Sequence, residues 1–476
     1  SLAGTTSAKA SLGLVNFDGL KLSGHASESY TLKFSAGNTF GVSNAITLSP
    51  AAPSQLTVIS KLTNASAGVA FEPVELRVTD FSGNLINNAN GVISAIASGG
   101  GSVDLGNDTA LTSGTKSPTV TLGGRVGNYT ITYRVAYGNT VLSATHDVAL
   151  SYGAGTRIGI VTQPAASGTQ TGGAFTPQPV VELRDAFGNR VPLAGVQVSA
   201  ILHNPSTSNV VQKATYAGST SANVWSVATN TADDLPTAVA VTDANGTATF
   251  NDLAVVGIPG YSYQLRFEAQ GYLSSSPTID FTLTTANPHE LYIANQSVGS
   301  VVAGEESLGT YEIHLRDRFR NIITTNNSSA ITMRVKVDAN DASVGRGGVL
   351  IAPSGATTTL TFSAGVAQFS GYKLGGLVGT QYNFQFVAQS LGLLSSDSQT
   401  RTVTPGTPVE LKFSQSPTLV TVGQQFPTDQ RPVLKLVDQY GNVVTQANPI
   451  NMSVTISPAS GTVRVGSLPT RSEEHT

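Results

Sequence analysis

The stretch FTPQPVVELRDAFGNRV, residues 175–191, decides the fold, because variants of it occur four times in the chain. The other three copies are FEPVELRVTDFSGNLI at 71–86, LGTYEIHLRDRFRNII at 308–323 and FPTDQRPVLKLVDQYGNVV at 426–444. Each copy has an aspartate with an asparagine four residues later: Asp80 and Asn84, Asp185 and Asn189, Asp317 and Asn321, Asp438 and Asn442. Glycine directly precedes the asparagine in three of these copies, at Gly83, Gly188 and Gly441. A unit that recurs in this way predicts a repeated module.

The residues before each aspartate alternate between apolar and polar. Val181 and Leu183 lie four and two residues before Asp185, with Glu182 and Arg184 beside them. A period of two with one polar face predicts a half-buried β-strand. The Asp-x-x-Gly-Asn segment then predicts a tight turn, since the carboxylate accepts turn amides and Gly tolerates positive φ.

Apolar residues resume after each turn, and we expect a new strand to start at these positions: Ile86, Val191, Ile323 and Val444. The aspartates are therefore interpreted as local structural caps of a strand–turn–strand unit. Calcium ligation is the alternative, although one carboxylate per turn is too few for a calcium cage.

A second recurring stretch begins with a tyrosine, in the pattern Tyr-x-apolar-x-aromatic, at Tyr30, Tyr129, Tyr263 and Tyr382. From each tyrosine to the next aspartate the separations are 50, 56, 54 and 56 residues, whereas from aspartate to tyrosine they are 49, 78 and 65. The nearly constant interval spans the joint between repeats. We therefore expect packed joints, with length variation confined to loops inside the modules.

These landmarks predict an all-β protein, a tandem array of immunoglobulin-like antiparallel β-sandwiches, because each repeat holds seven or more short strands separated by turns. The expected modules are the C-terminal half of a truncated domain at 1–49, full domains at 50–152, 153–286 and 287–405, and the N-terminal half of another at 406–470. The domain at 153–286 is expected to carry an insertion at about 203–237. Residues 471–476, RSEEHT, match nothing in the repeats and resemble a translated sequencing adapter, so both ends are expected to be truncations.

The Asp-x-x-Gly-Asn turn, the segment TDANGTATF at 242–250 and the tyrosine-led strand resemble bacterial immunoglobulin-like repeat proteins of the invasin and intimin type. The resemblance covers nearly the whole chain. It departs from the pattern at Arg320, where Gly is usual, and at Ser82, which replaces an aromatic residue. What it implies is an extracellular or bacterial cell-surface protein, adhesive or secreted, built from many modules.

Composition excludes several classes of function. Charged residues make up 12% of the chain and the net charge is −3, which argues against a nucleic-acid partner. Cysteine is absent, so thiol catalysis, disulfides and zinc-thiolate sites are excluded. The chain has no apolar run long enough to predict a membrane span. It also lacks the common catalytic motifs, and neither an enzyme activity nor a resident cofactor is expected.

Three groups of residues remain as weak candidates for binding. Two acidic segments are candidate calcium ligands, although neither follows the EF-hand pattern: Asp338, Asn340 and Asp341, and Asp104, Asn107 and Asp108. Trp225 and Tyr216 lie in the predicted insertion and are candidates for ligand contact, with anchoring of the loop as the alternative.

The leading hypothesis is a non-catalytic structural and adhesive stalk, monomeric and rod-shaped, whose ligand is a protein or a glycan. The alternative is a set of spacer or carbohydrate-binding accessory modules in a secreted hydrolase. The ligand, the organism, the anchoring mode and the total number of modules do not follow from the sequence.

Overall fold

A computed structural model describes residues 1–59, 62–71, 74–107, 109–206, 212–218, 235–338, 340–341, 343–445 and 450–455. The protein is all-β, an array of immunoglobulin-like β-sandwiches in which nearly all strand pairs are antiparallel. Two pairs of described strands run parallel instead, β8 with β17 and β30 with β39. The helical content of the described residues is limited to 3-10 turns at Ser98–Gly100, Gln389–Leu391 and Thr428–Gln430.

Residues 1–49 form three two-stranded sheets, β1 with β2, β3 with β6, and β4 with β5. The strands are β1 Leu2–Ala3, β2 Lys21–Leu22, β3 Ser29–Tyr30, β4 Lys33–Ala36, β5 Thr39–Val42 and β6 Ile46–Thr47.

The next eleven strands enclose a hydrophobic core between residues 56 and 150. They form sheets in the orders β14-β10-β7, β13-β11-β16-β17-β8 and β12-β15-β9. The strands are β7 Gln55–Val58, β8 Asn64–Ser66, β9 Ala70–Phe71, β10 Leu76–Thr79, β11 Gly91–Ala97, β12 Ser102–Asp104, β13 Ala110–Leu111, β14 Thr115–Lys116, β15 Val120–Gly123, β16 Gly127–Tyr137 and β17 Thr140–Ser151.

A second core lies between residues 158 and 283. Its sheets have the orders β18-β20-β24, β23-β21-β27, β19-β28-β26 and β22-β25. The strands are β18 Gly155–Thr162, β19 Thr169–Gln170, β20 Val180–Asp185, β21 Gln197–Leu202, β22 Lys213–Tyr216, β23 Val239–Val241, β24 Thr247–Thr249, β25 Leu253–Val256, β26 Ser262–Tyr263, β27 Leu265–Glu268 and β28 Phe281–Thr284.

A third core lies between residues 291 and 403. Its sheets have the orders β29-β31-β35, β34-β32-β37-β38, β33-β36 and β30-β39. The strands are β29 Pro288–Asn295, β30 Gly299–Val302, β31 Thr310–Asp317, β32 Ala330–Val335, β33 Val349–Ile351, β34 Thr359–Thr361, β35 Val366–Ser370, β36 Lys373–Gly375, β37 Phe384–Ala388, β38 Leu393–Leu394 and β39 Arg401–Thr404. A final pair follows, β40 Glu410–Gln415 and β41 Val433–Val437.

A strand leads to each aspartate, as the alternation of apolar and polar residues predicts. In β20, Val181 and Leu183 are fully buried in the second core, while Glu182 and Arg184 on the other face are half-buried. The predicted strand directly after each turn is wrong. One isolated bridge closes each hairpin, for example Arg184 with Arg190, and the chain then turns again, because the amide of Leu193 bonds to the carbonyl of Val191.

The chain divides into two compact units between Leu283 and Thr284. The first contains the cores at 56–150 and 158–283, and the second contains the core at 291–403. Over the described residues, no helix has the length and apolar character needed to cross a membrane.

Candidate functional site: the joints between modules

Each of the four repeated aspartates lies at the end of a strand or directly after it, and caps the turn that follows. The carboxylates of Asp80, Asp185, Asp317 and Asp438 are buried, with 0–2% of the residue exposed. One oxygen, Oδ1, accepts the backbone amides of the second and fourth residues after the aspartate, at 2.8–3.0 Å in all four copies. Gly188 and Gly441 adopt φ of 82° and 88° in this turn, and Arg320 takes the same left-handed conformation at φ 68°.

The second carboxylate oxygen of each aspartate accepts a backbone amide 29–32 residues earlier, just before the strand that pairs with the strand leading to that aspartate. In the second copy Oδ2 of Asp185 accepts the backbone amide of Gly153 and the side-chain amide of Asn189, both at 2.9 Å. Ala51, Ala286 and Gly406 supply the corresponding amides to Asp80, Asp317 and Asp438. The aspartate therefore ties the entry of the chain into a module to the turn at the end of its core strand.

Hydrogen bonds to these carboxylates decide their protonation. Burial alone would raise the pKa of Asp80, but the amides of Ala51, Asn84 and Ser82 outweigh burial and lower the pKa to about 2. The pKa values of Asp185 and Asp438 are lowered for the same reason, against the effect of burial. Each of these three groups is thus held as a carboxylate at neutral pH.

The asparagine extends this network into the preceding module. The Nδ2 group of Asn189 donates to the carbonyl of Gly124 at 2.9 Å, and its Oδ1 accepts the amide of Val126 at 2.9 Å. Asn84 makes the same pair of bonds with Gly24 and Ala26, at 3.0 and 2.8 Å. Asn442 makes them with Gly376 and Val378, both at 2.8 Å.

The three-residue segments held by these asparagines are called joint loops here: residues 24–26, 124–126 and 376–378. Each joint loop lies just before a tyrosine of the second sequence pattern. The hydroxyl of that tyrosine forms a hydrogen bond with the backbone of the joint loop. Tyr129 donates to the carbonyl of Arg125 at 2.8 Å, while Tyr30 and Tyr382 accept the amides of His25 and Leu377 at 2.7 Å. The two repeated sequence patterns therefore meet at the joint.

An aromatic side chain two residues after the aspartate adds an apolar contact across two of these joints. Phe187 packs against the core at 56–150, and a Cβ added at Gly123 would lie 2.4 Å from its ring. Tyr440 packs likewise on the core at 291–403, and a Cβ at Gly375 would lie 2.3 Å from its ring. In the first joint, serines replace both partners, with Ser82 at the aromatic position and Ser23 at the glycine position.

The Asp–Asn turns do more than cap a local strand–turn–strand unit. Their capping bonds are local, but Asn84, Asn189 and Asn442 each bond to a segment 58–66 residues earlier in the chain. The sequence feature that pointed to this contact was the nearly constant number of residues from each tyrosine to the next aspartate. It located the joint without showing that the asparagine side chain crosses it.

The candidate calcium ligands lie in short turns. Asp338 Oδ1 accepts the amide of Asn340, and Asp341 Oδ1 accepts the amide and hydroxyl of Ser343. Asp104 Oδ1 accepts the amide of Gly106, and Asn107 follows directly. Asp108 lies outside the described residues. In the part of the chain that the structure describes, no group of three or more His, Asp and Glu side chains is placed to hold a metal ion.

The aromatic pair proposed for ligand contact is only partly described. Trp225 lies outside the described residues. Tyr216 is half-buried at the end of β22, packs against the core at 158–283, and its hydroxyl accepts the amide of Val239 at 3.1 Å. Ligand contact at either residue stays a prediction.

Comparisons with known proteins give likeness only at the level of solved structures. No family model matches the chain, and no curated protein does. The FdeC adhesin of Escherichia coli has a TM-score of 0.27 and 11% identity, covering 75% of this chain and 100% of its own. The adhesin InvE of Yersinia pseudotuberculosis has 0.21 and 17%, covering 51% and 66%, and domains 5–6 of the S-layer protein SbsC have 0.18 and 15%, covering 50% and 100%. All these TM-scores lie below 0.5, so the function proposed below rests on the joints.

Proposed function

We propose that the chain is a non-catalytic structural and adhesive stalk of tandem immunoglobulin-like modules, on a bacterial surface or in a secreted protein. The observation that carries this proposal is the repeated joint, in which an asparagine binds both a carbonyl and an amide of the preceding joint loop. Asn189 and Asn442 are buried and Asn84 is half-buried. Two hydrogen bonds at fixed positions restrain both the direction and the rotation of one module against the next. A flexible linker has no such restraint.

The charge state of the joint supports the same function. The asparagine is oriented by a carboxylate whose pKa is lowered, in Asp80 to about 2. The three carboxylates of Asp80, Asp185 and Asp438 are therefore ionised at neutral pH, which keeps the network in one protonation state there. We infer that the joints exist to transmit orientation and load between modules, which is what a stalk requires.

Small-angle X-ray scattering on the full chain tests this proposal. A compact globule of this length has a radius of gyration of about 23 Å. A stack of sandwiches, each about 35–40 Å long, should give roughly twice that value. A radius near that of the globule in dilute solution would overturn the stalk.

A variant with Ala at Asn84, Asn189 and Asn442 tests whether the joints carry the stiffness. We expect a shorter and broader distribution of interatomic distances than in the parent. The control is Asn245→Ala, since Asn245 lies in another Asp-capped turn but is exposed; its backbone amide, two residues after Asp243, bonds to the Asp243 carboxylate. Equal distributions in the triple variant and the control would show that the asparagines do not set the stiffness.

A further inference from the structure

The sheet β29-β31-β35 carries an exposed tyrosine, Tyr292, on the face turned away from the core at 291–403. Tyr292 is 43% exposed and lies on β29 directly opposite His314 of β31. The guanidinium carbon of Arg316, the diagonal neighbour, lies 3.5 Å from the centroid of the tyrosine ring. The Arg316 side chain is only 18% exposed and its Nε is buried. One face of the ring therefore covers a largely buried guanidinium, and the opposite face is open to solvent.

A chain of hydrogen bonds lies beside the ring on the same face of the sheet. Nε2 of His314 donates to Oε1 of Glu312 at 2.7 Å, and Nε2 of Gln368 on β35 donates to Oε2 of Glu312 at 2.9 Å. These bonds, that of His314 first, lower the pKa of Glu312, so this group is a carboxylate at neutral pH. Residues two apart on a strand are separated by about 7 Å, so oriented polar groups stand one monosaccharide away from the ring.

The sandwich does not require an aromatic side chain at this position. Tyr292 pairs with the residue three before Asp317. In the two preceding modules the residues that pair at the equivalent position are Thr57 and Gly159. A tyrosine that is held in one orientation, where the same fold accepts threonine or glycine, has the apolar body and polar surroundings of a binding residue.

The charges around the ring restrict the ligand that stacks on it. Arg316 already occupies one face, so a second cation on the other face is repelled. Glu312 and Glu290, the latter 4.0 Å from Arg316, repel an anion. The neighbours of the ring on β31 are all polar, so the apolar area is that of one ring, whereas a protein interface needs about 800 Å² per partner. A neutral ligand with one apolar face and several hydroxyl groups fits these limits.

We propose that Tyr292 is the stacking platform of a site for a neutral pyranose within a glycan. The C–H face of the sugar packs on the open face of the ring, and its hydroxyl groups form hydrogen bonds with Glu312 and Gln368. The carboxylate accepts the sugar O–H groups, a charge-assisted bond that is stronger than a neutral one. This inference rests on the proposed function, because it names the class of ligand for the adhesive part of the stalk.

A printed glycan array tests the site. It carries neutral, sialylated and uronic-acid-containing glycans, with unglycosylated carrier protein as a further set of spots. The full chain is coupled to fluorescent beads, so that avidity raises the signal of a weak single site. We expect retention on a set of neutral glycans, a loss of at least fivefold in Tyr292→Thr, and near-parent retention in Tyr292→Phe, which keeps the ring. Tyr152→Thr is the matched control, since Tyr152 is a tyrosine of equal exposure, 42%, in another module, and its removal should change nothing.

Glu312→Gln separates hydrogen bonding from stacking. The amide keeps the shape of the side chain but loses the negative charge and one acceptor oxygen. Retention on the neutral glycans should fall severalfold while the circular dichroism spectrum stays that of the parent. Saturation-transfer NMR with the free sugar of the strongest spot should show transfer to the C–H protons of one sugar face in the parent, and none in Tyr292→Thr.

Three outcomes would overturn the proposal. The first is equal retention of the parent and a folded Tyr292→Thr on every neutral glycan, and the second is strongest retention on acidic glycans. The third is retention on the unglycosylated carrier with the same dependence on Tyr292, which would indicate a protein partner. Scattering measures the stalk independently: a long particle without glycan binding removes this site and leaves the stalk, whereas a compact particle removes the stalk whatever the array shows.

Discussion

The side-chain amide of Asn189 donates a hydrogen bond to the carbonyl oxygen of Gly124, 2.9 Å away and 65 residues earlier in the chain. Gly124 follows Leu122 of the core at 56–150 by two residues, and Asn189 precedes Val191 of the core at 158–283 by two residues. The same side chain is held by Asp185, whose Oδ2 accepts its other N–H at 2.9 Å. With Oδ1 bonded to the amide of Val126, every strong hydrogen-bonding atom of this side chain is paired. Asn189 thus ends the turn of one module and also forms hydrogen bonds with the joint loop of the preceding module.

Replacement of Asn189 by Ala should therefore weaken two modules. The substitution removes the bonds to Gly124, Val126 and Asp185, and leaves the buried carboxylate with one partner fewer. We expect a loss in free energy of unfolding on the order of 2–3 kcal/mol. Hydrogen exchange by mass spectrometry should show faster exchange in β18 and β20 and also in the start of β16, which follows the joint loop at 124–126.

The control for this variant is Asn245→Ala in the exposed turn capped by Asp243. Its exchange should change only within a few residues of the turn. If Asn189→Ala left β16 unchanged, the bonds across the joint would contribute nothing to stability, and the turn would be local after all.

The contact of Phe187 with Gly123 predicts a strong coupling between substitutions. Gly123→Ala places a Cβ 2.4 Å from the ring and should cost about 1–3 kcal/mol of overpacking. In a Phe187→Ala background the ring is gone and the Oγ of Ser102, 2.6 Å from the added Cβ, is the remaining close contact, so the cost of Gly123→Ala should fall by about 1 kcal/mol. Denaturant unfolding of the four proteins in this cycle measures the coupling energy. Gly127→Ala is the control, since a Cβ there would meet no atom within 4 Å.

If the costs of Gly123→Ala and Phe187→Ala simply added in the double variant, the result would contradict the apolar contact across the joint. The first joint already shows the paired change within the natural sequence, because Ser82 and Ser23 stand where Phe187 and Gly123 stand in the second.

Strand phase was the part of this fold most open to prediction. Val181 and Leu183 are fully buried as their alternation predicts, because one face of a strand must leave water and the other need not. The capping role of Asp185 also follows from local chemistry, since a carboxylate after a strand accepts nearby turn amides.

Long-range partners were not predictable from one sequence. Whether the side chain of Asn189 also bonds across the joint depends on the position of residues 124–126. No local sequence pattern determines that position. Strand β22 was missed for a similar reason: it lies inside the predicted insertion at 203–237, yet pairs with β25 in the sandwich. The module boundaries themselves stay predictions.

The extent of the insertion can now be tested more narrowly. The sequence predicts that all of 203–237 is dispensable, but Ala214 and Leu235 are buried, and Gln212 accepts a hydrogen bond from Tyr263 at 3.1 Å. Replacement of 203–237 by a short Gly/Ser turn should therefore destabilise the core at 158–283 by several kcal/mol, on the scale of losing buried apolar contacts. Replacement of 219–234 alone keeps Gln212, Ala214 and Leu235, so the melting temperature should stay near that of the parent. Calorimetry on both variants compares them, and equal melting temperatures would restore the wider insertion.

The last prediction concerns pH and the carboxylate of Asp80. Its pKa is about 2 in the folded protein, because amide hydrogen bonds outweigh burial, while an unfolded chain has an Asp pKa of about 3.9. A folded pKa that is depressed gives stability that is fully present above the unfolded value and is lost as the pH falls through the folded one. The contribution of Asp80 should therefore be constant from pH 7 to about 5, decline below about pH 4 and vanish near pH 2.

Asp80→Asn should cost on the order of 2 kcal/mol at pH 7, because it places a second amide against the amides of Ala51 and Asn84. Urea unfolding at a series of pH values should show the difference between parent and variant shrinking as the pH falls. Asp147→Asn is the control, because Asp147 lies on β17 of the same sandwich but its side chain is exposed, and its carboxylate accepts a hydrogen bond from the hydroxyl of Thr130. A difference between parent and Asp80→Asn that stayed constant down to pH 2 would mean that packing, and not the charged carboxylate, makes Asp80 important to the joint.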